Sequence, residues 1–218
     1  MEKASKLLQL EQSGVVAVIR KPRPEDILPL VDALVEGGVK TLELTVDTEQ
    51  AFTQMRKAKE RLGKDVLVGA GTVLDAETAR TAIQAGAEFV FSPNYNEDLI
   101  QMANSYGVIS IPGVMTPSEI VEAYKLGADV VKIFPASIGG PSYIKDLQGP
   151  LGHIPMIPTG GVTAENAGDF IKNGATAVGA GGSLVNKRLL EQQDFAGITT
   201  LAKQFTANVK MAREEQQS

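Results

Sequence analysis

The chain has 218 residues, 43% apolar and 22% charged, an ordinary globular composition and length enough for one large α/β barrel. Aromatic residues make up only 5%, there is no Trp, the net charge is −5, and no cluster of Lys and Arg marks a phosphodiester track, so a nucleic-acid surface is disfavoured and a small-molecule partner is expected. The absence of cysteine excludes disulfides, thiolate metal sites and a cysteine nucleophile, and it suits a cytoplasmic location.

Residues 1–13 predict a short amphipathic N-terminal helix with Leu7, Leu8 and Leu10 on one side, without the long apolar run of a signal peptide. No apolar run is long enough for a membrane span. The segment VVAVIR (15–20) reads as a first strand, and a repeat then sets in: helix, glycine, β-branched run. It recurs at 36–45, 61–72, 84–93, 105–113, 125–135 and 172–182, with Gly37, Gly63, Gly86, Gly107 and Gly127 at the helix ends, where glycine adopts positive φ without penalty. IPMIPTG (154–160) completes eight strands, all continuous apolar runs of the kind covered on both faces. Thr116-Pro117-Ser118-Glu119 predicts a capping box, and Asp75 and Thr163 are further N-caps. Residues 211–218 read as a frayed polar tail. The fold expected over 1–218 is a single α/β domain, a (β/α)8 TIM barrel with a short N-terminal helix. A doubly wound open sheet shares the local signals, but RKPRPED follows the first strand where a Gly-rich dinucleotide turn would stand.

Active sites of such barrels lie at the C-terminal ends of the strands. Alternation turns Leu42 and Leu44 toward the helices and Thr41, Glu43 and Thr45 inward; likewise Val131 and Ile133 face out while Val130, Lys132 and Phe134 face in. Arg20 shares a face with Val16 and Val18, so Arg20, Glu43 and Lys132 can converge in one cavity. Glu43 and Lys132 could be a structural ion pair, yet such pairs are no dependable source of stability compared with apolar packing. The alternative is an imine-forming lysine. Burial disfavours its ammonium form, and the neighbouring carboxylate shuttles protons. The glycine loops TGG (159–161) and GAGGS (179–183), after the last two strands, occupy the usual phosphate position ahead of a helix N-terminus, with the Ser183 hydroxyl as a further donor. A metal-dependent aldolase or epimerase needs several imidazoles or a carboxylate cage; the one histidine, His153, reads as a loop residue, and neither metal nor cofactor is expected.

The motifs LELT (42–45), GAGTV (69–73), SP (92–93), PG (112–113), KIFPA (132–136), PTGG (158–161) and GGS (181–183), in this order and spacing, resemble the 2-keto-3-deoxy-6-phosphogluconate (KDPG) and 4-hydroxy-2-oxoglutarate (KHG) aldolases over about residues 14–187. The resemblance implies a homotrimeric, metal-independent class I aldolase that releases pyruvate and glyceraldehyde 3-phosphate from a phosphorylated keto acid. It implies Lys132 as the Schiff-base lysine and Glu43 as general acid/base. Thr72, Pro93 and Phe134 would line the pyruvyl pocket, Thr159 with Gly160 and Gly161 would contact the rest of the substrate, and Gly181, Gly182 and Ser183 would hold the phosphate. One position departs from the pattern. Many members read T-L-R-T after the glutamate, with the arginine holding the substrate carboxylate, whereas this chain has Thr45-Val46-Asp47-Thr48. Either Asp47 points away or the substrate differs, and Arg20 is the natural replacement because arginine grips a carboxylate with two hydrogen bonds. A phosphosugar isomerase or epimerase on the same barrel, with Glu43 as base, and a non-catalytic phosphometabolite-binding protein are the competing readings.

Overall fold

The computed structural model describes residues 2–217, the side chain of Gln217 excepted. Helix α1 (Glu2–Ser13) precedes β1 (Val15–Ile19), and strands and helices then alternate. They run α2 (Ile27–Glu36), β2 (Thr41–Thr45), α3 (Ala51–Leu62), β3 (Leu67–Gly71), α4 (Ala76–Gln84), β4 (Phe89–Phe91) and α5 (Glu97–Ser105). After these come β5 (Ile109–Ile111), β6 (Gly113–Val114), α6 (Pro117–Lys125), β7 (Val131–Ile133), α7 (Gly140–Leu151) and β8 (Met156–Pro158). The chain ends with α8 (Ala164–Lys172), β9 (Val178–Ala180), α9 (Lys187–Glu191) and α10 (Phe195–Gln217).

The strands form two parallel sheets, ordered β5-β4-β3-β2-β1-β9 and β6-β7-β8. Strands adjacent in sequence pair from β1 to β5, and β9 returns beside β1, so the larger sheet is curled and lacks the order reversal of a doubly wound sheet. The expected strand within 105–113 is split at Pro112, which has no N–H for the ladder, and the chain changes partner there. β5 pairs with β4 and β6 with β7, while the Pro112 carbonyl accepts the Lys132 N–H at 2.8 Å. Beyond β8, Thr159 bridges to Gly179 of β9.

Period-2 alternation sorts the strand side chains into two layers. Leu42, Leu44, Val131 and Ile133 join the cluster between sheets and helices. Val16, Leu67, Phe89, Phe91, Val130 and Ile157 form a separate cluster inside the curl. Leu10 of α1 is buried in that inner cluster with Leu7 against it, so α1 covers the N-terminal ends of the strands. Leu8, expected on the same side, is exposed instead, because a helix turn places only residues three or four apart on one face. Two lysines of α1 reach acids beneath the strands, Lys3 to Asp129 at 2.8 Å and Lys6 to Glu88 at 3.3 Å.

The expected caps are in place. Thr116 and Glu119 form a capping box, as do Thr163 and Asn166, and Asp75 accepts the Thr78 N–H at 2.6 Å. The helix-end glycine of α2 is Gly38 (φ 92°) where Gly37 was expected; Gly37 has φ −75°. Gly37 answers a packing need: a Cβ there would lie 2.2 Å from the Cβ of Ala202 on α10. The expected frayed tail is corrected over its described part, since α10 runs on to Gln217. Ala212 is buried, and the Arg213 guanidinium donates to the carbonyls of Gln12 (3.0 Å) and Thr176 (2.8 Å), which ties the last turns to the body. Ser218 lies outside the described residues.

Candidate active site

Lys132 lies in the middle of β7, with Val131 and Ile133 committed to the outer layer, so its side chain points into the curl. The residue is 5% exposed. Its Nζ lies between two aromatic rings, 4.7 Å from the Phe91 centroid and 4.6 Å from that of Phe134. Burial holds the amine below the usual lysine range; the Glu43 charge acts against this shift and the Arg20 charge adds to it.

Glu43 occupies the centre of β2, paired in register with Val18 of β1 and Gly69 of β3. Space for its carboxyl comes from Gly71 on the neighbouring strand, where a Cβ would fall 1.7 Å from Glu43 Oε1. Oε2 is fully buried and has no hydrogen-bond partner among the described residues. Burial raises this carboxyl to about 7, against the attraction of Lys132 and Arg20. Glu43 and Lys132 therefore feel each other's charge, yet neither has the hydrogen-bonded shell that a structural buried ion pair needs. With one group raised toward neutrality and the other lowered, the pair titrates as a unit.

Arg20 follows β1 at the same end. One terminal nitrogen donates to Thr72 Oγ1 at 2.8 Å and the other to Asp47 Oδ2 at 3.2 Å. Thr72, directly after β3, has φ 57°. Asp47 does not point away: it faces Arg20 and also takes Lys21 Nζ at 3.1 Å. Thr159 is buried, and Gly179 leaves room for its hydroxyl, since a Cβ there would lie 2.2 Å from Thr159 Oγ1. That hydroxyl has no hydrogen-bond partner among the described residues. Pro93 follows β4, and its backbone packs against Gly113, so a Cβ on Gly113 would be 2.2 Å from the Pro93 carbonyl carbon.

The two glycine loops differ from expectation in detail. Gly160 and Gly161 adopt φ of 92° and 77°, but the helix that follows them is closed by its own Thr163–Asn166 box. No helix begins directly after Gly181-Gly182-Ser183. The backbone instead turns back, the N–H groups of Leu184 and Val185 donating to the Gly181 carbonyl, and the short α9 starts only at Lys187. The Ser183 hydroxyl donates to the Val162 carbonyl at 2.6 Å. A cavity of about 650 Å³ adjoins this turn, with Val18, Arg20, Lys21, Gly181, Gly182 and Lys187 in its lining. Neither Lys132 nor Glu43 lines it; of the predicted site residues it takes in Arg20, Gly181 and Gly182. His153 is exposed in its loop, its ring against Tyr124.

Sequence reasoning missed Phe91, Gly71 and the Lys21–Asp47 contact. Phe91 was within reach, because it shares the inward parity of Phe89 on β4. Gly71 was visible in GAGT, but the side chain it makes room for lies on another strand. The Lys21 contact depends on a turn geometry with φ 50° that carries no sequence signature.

A family model described as KDPG and KHG aldolase matches residues 8–201. A 2-dehydro-3-deoxy-phosphogluconate aldolase of Pseudomonas aeruginosa is 36% identical over 194 residues, 88% of each chain. A solved structure described as native KDPGal superposes with TM-score 0.86 at 30% identity, covering 92% of this chain and 96% of the other. A KDPG aldolase from Legionella pneumophila, with pyruvate captured as a covalent carbinolamine, superposes with TM-score 0.81 at 31% identity over 87% of this chain and 92% of its own. The family model over residues 8–201 and relatives about 35% identical over most of the chain place the protein in the KDPG/KHG aldolase family.

Proposed function

We propose that the chain is a class I aldolase that cleaves 2-keto-3-deoxy-6-phosphogluconate, or a closely related 2-keto-3-deoxy sugar acid phosphate, to pyruvate and glyceraldehyde 3-phosphate. The observation that carries this reading is the Lys132 amine, buried between two aromatic rings and coupled to a carboxyl, Glu43, one oxygen of which has no hydrogen-bond partner among the described residues. An amine whose ammonium form is disfavoured is a nucleophile near neutral pH.

The Lys132 amine attacks the C2 carbonyl carbon and passes one proton to the resulting alkoxide, Glu43 delivers a second to the same oxygen, and water leaves to give the protonated imine. The protonated imine then draws electrons. Glu43, now a carboxylate, takes the proton of the C4 hydroxyl, the C3–C4 bond breaks, and its electron pair flows into the imine to give an enamine as the aldehyde departs. Glu43 returns its proton to C3, and water hydrolyses the pyruvyl imine to regenerate the free amine. A carboxyl near 7 serves both directions of transfer, since either form is accessible at neutral pH. The active free enzyme holds one proton on the pair, so kcat/KM falls on both sides of a bell.

Arg20 is assigned to the substrate carboxylate, and Thr72, Pro93, Phe134 and Thr159 to the wall of the pyruvyl pocket. Gly160, Gly161, Gly181, Gly182 and Ser183 are assigned to the phosphate. The lining of the adjoining cavity sets Arg20, Lys21, Arg23 and Lys187 against Asp26 and Glu191, and this excess of cations supports an anionic distal group. Ser183 must turn from the Val162 carbonyl to donate there, because a phosphate accepts hydrogen bonds only. We read the two sheets as one closed (β/α)8 barrel domain, supported by the partner change at Pro112 and the Thr159–Gly179 bridge. The homotrimer and the cytoplasmic location implied by the resemblance belong to the same proposal, and light scattering of the purified protein tests the first.

The test is pyruvate release from 2-keto-3-deoxy-6-phosphogluconate, its galactonate-derived epimer and 4-hydroxy-2-oxoglutarate. Pyruvate from a phosphorylated substrate, undiminished by a chelator, is the expected result. Exchange of solvent hydrogen into a sugar phosphate without pyruvate would replace the reading with an isomerase.

A further inference from the structure

Asp47 stands where the family pattern has a cation, and its surroundings give it a task. β2 ends at Thr45, but the ladder continues one residue further, the Val46 N–H donating to the Gly71 carbonyl at 2.9 Å. The chain then turns, with the Thr48 N–H on the Thr45 carbonyl at 3.0 Å and the Lys21 N–H on Thr48 Oγ1 at 3.0 Å. Asp47 is therefore fixed at the rim by backbone contacts to both neighbouring strands. Its Oδ2 accepts from Arg20 at 3.2 Å and pairs with Lys21 at 3.1 Å.

Arg20 is half exposed, so packing does not choose its rotamer. Its orientation comes from two tethers, Asp47 on one terminal nitrogen and Thr72 Oγ1 on the other. A free arginine side chain is rich in rotamers, and ordering it costs entropy that a ligand must otherwise overcome. Held this way, the guanidinium lies close enough to act electrostatically on both Glu43 and Lys132. The acid does not cancel the site's attraction for anions: Arg20, Lys21 and Asp47 together carry a net charge of +1.

We infer that Asp47 is a positioning residue that holds the Arg20 guanidinium in the orientation from which it receives the keto-acid carboxylate. The inference rests on the aldolase reading above. In this chain the carboxylate-binding cation comes from β1, and the residue after β2 supplies the tether.

The experiment measures the pyruvate concentration that half-saturates borohydride trapping of pyruvate on the intact protein, with kcat and KM for cleavage alongside. Asp47→Ala raises the half-saturating concentration about fivefold, the scale of a half-exposed charged contact, with kcat changed by less than about twofold. Asp47→Glu recovers most of the affinity, which a general loss of stability would not do. The double variant Arg20→Ala/Asp47→Ala binds pyruvate no more weakly than Arg20→Ala alone, because Asp47 acts through Arg20. Tighter pyruvate binding in Asp47→Ala, or additive losses in the double variant, overturns the inference and leaves the aldolase reading intact. A wild-type protein that traps no pyruvate sinks the aldolase reading itself, and this inference with it.

Discussion

The two ends of the strands treat buried acids in opposite ways. At the closed end, Glu88 is buried and fully engaged: Lys59 lies at 2.5 Å and Lys6 at 3.3 Å, and the Val68 N–H donates to it at 3.2 Å. Asp129 is likewise held by Lys3, by the Ser110 N–H and by the Ser110 hydroxyl. At the open end, Glu43 is more deeply buried than Glu88, yet one of its oxygens has no partner among the described residues. A carboxylate with its charge and lone pairs satisfied anchors structure; one left unsatisfied next to a lowered lysine has a proton to exchange. The closed end stabilises the fold, and the open end accepts a cost in stability so that chemistry can occur.

That contrast can be broken by substitution at either end. Replacing Lys132 with Met should have the largest effect, lowering turnover by roughly 10⁴-fold or more, the scale of losing a nucleophile, as read by pyruvate release. Glu43→Gln should lower kcat by about 10²- to 10⁴-fold. It should also change the pH dependence of stability with a definite sign. The folded carboxyl, at about 7, lies above its ordinary value of 4.5, so the folded state binds this proton more tightly than the unfolded state. Wild-type stability tied to this group is full below about pH 4.5 and is lost as pH rises through about 7, by roughly 3 kcal/mol at most. The Tm of wild type should thus fall relative to that of Glu43→Gln between about pH 5 and 8 by the linkage relation; a difference that stays flat or grows the other way would remove Glu43 from the raised-carboxyl role.

Arg20→Ala should raise KM for the keto acid about ten- to hundredfold, the value of a charge-assisted contact, with a smaller effect on kcat. Smallest in kinetics and opposite in kind, Glu88→Gln should leave kcat/KM unchanged while lowering stability by about 1–2 kcal/mol in denaturant titration. A kinetic defect in Glu88→Gln would show that the two ends are not separable.

Much of this arrangement was legible in the chain because strand parity is local. Leu42 and Leu44 fixed the inward direction of Glu43, and Val131 and Ile133 did the same for Lys132. The caps at Asp75, Thr116 and Thr163 were equally readable, since each depends on residues within one helical turn. What escaped depends on contacts distant in sequence. The last turns of α10 are polar and look like a tail until Arg213 meets carbonyls some 200 residues earlier in the chain. The strand break at Pro112 requires knowing that the chain changes partners there. The turn after β9 resembles a helix start in composition, but its first N–H groups return to Gly181. Asp47 stood out as a departure from the family pattern, and only the geometry shows that it binds the arginine proposed to replace the missing one.

The central claim is that the Lys132 amine is the covalent attachment point for the keto acid. Borohydride reduction in the presence of pyruvate, followed by mass mapping of the digested protein, tests it directly. A three-carbon adduct confined to the peptide carrying Lys132, with loss of activity in proportion to labelling, is the predicted result. Inactivation with Lys132 unmodified, or an adduct spread over exposed lysines such as Lys187, would contradict the account.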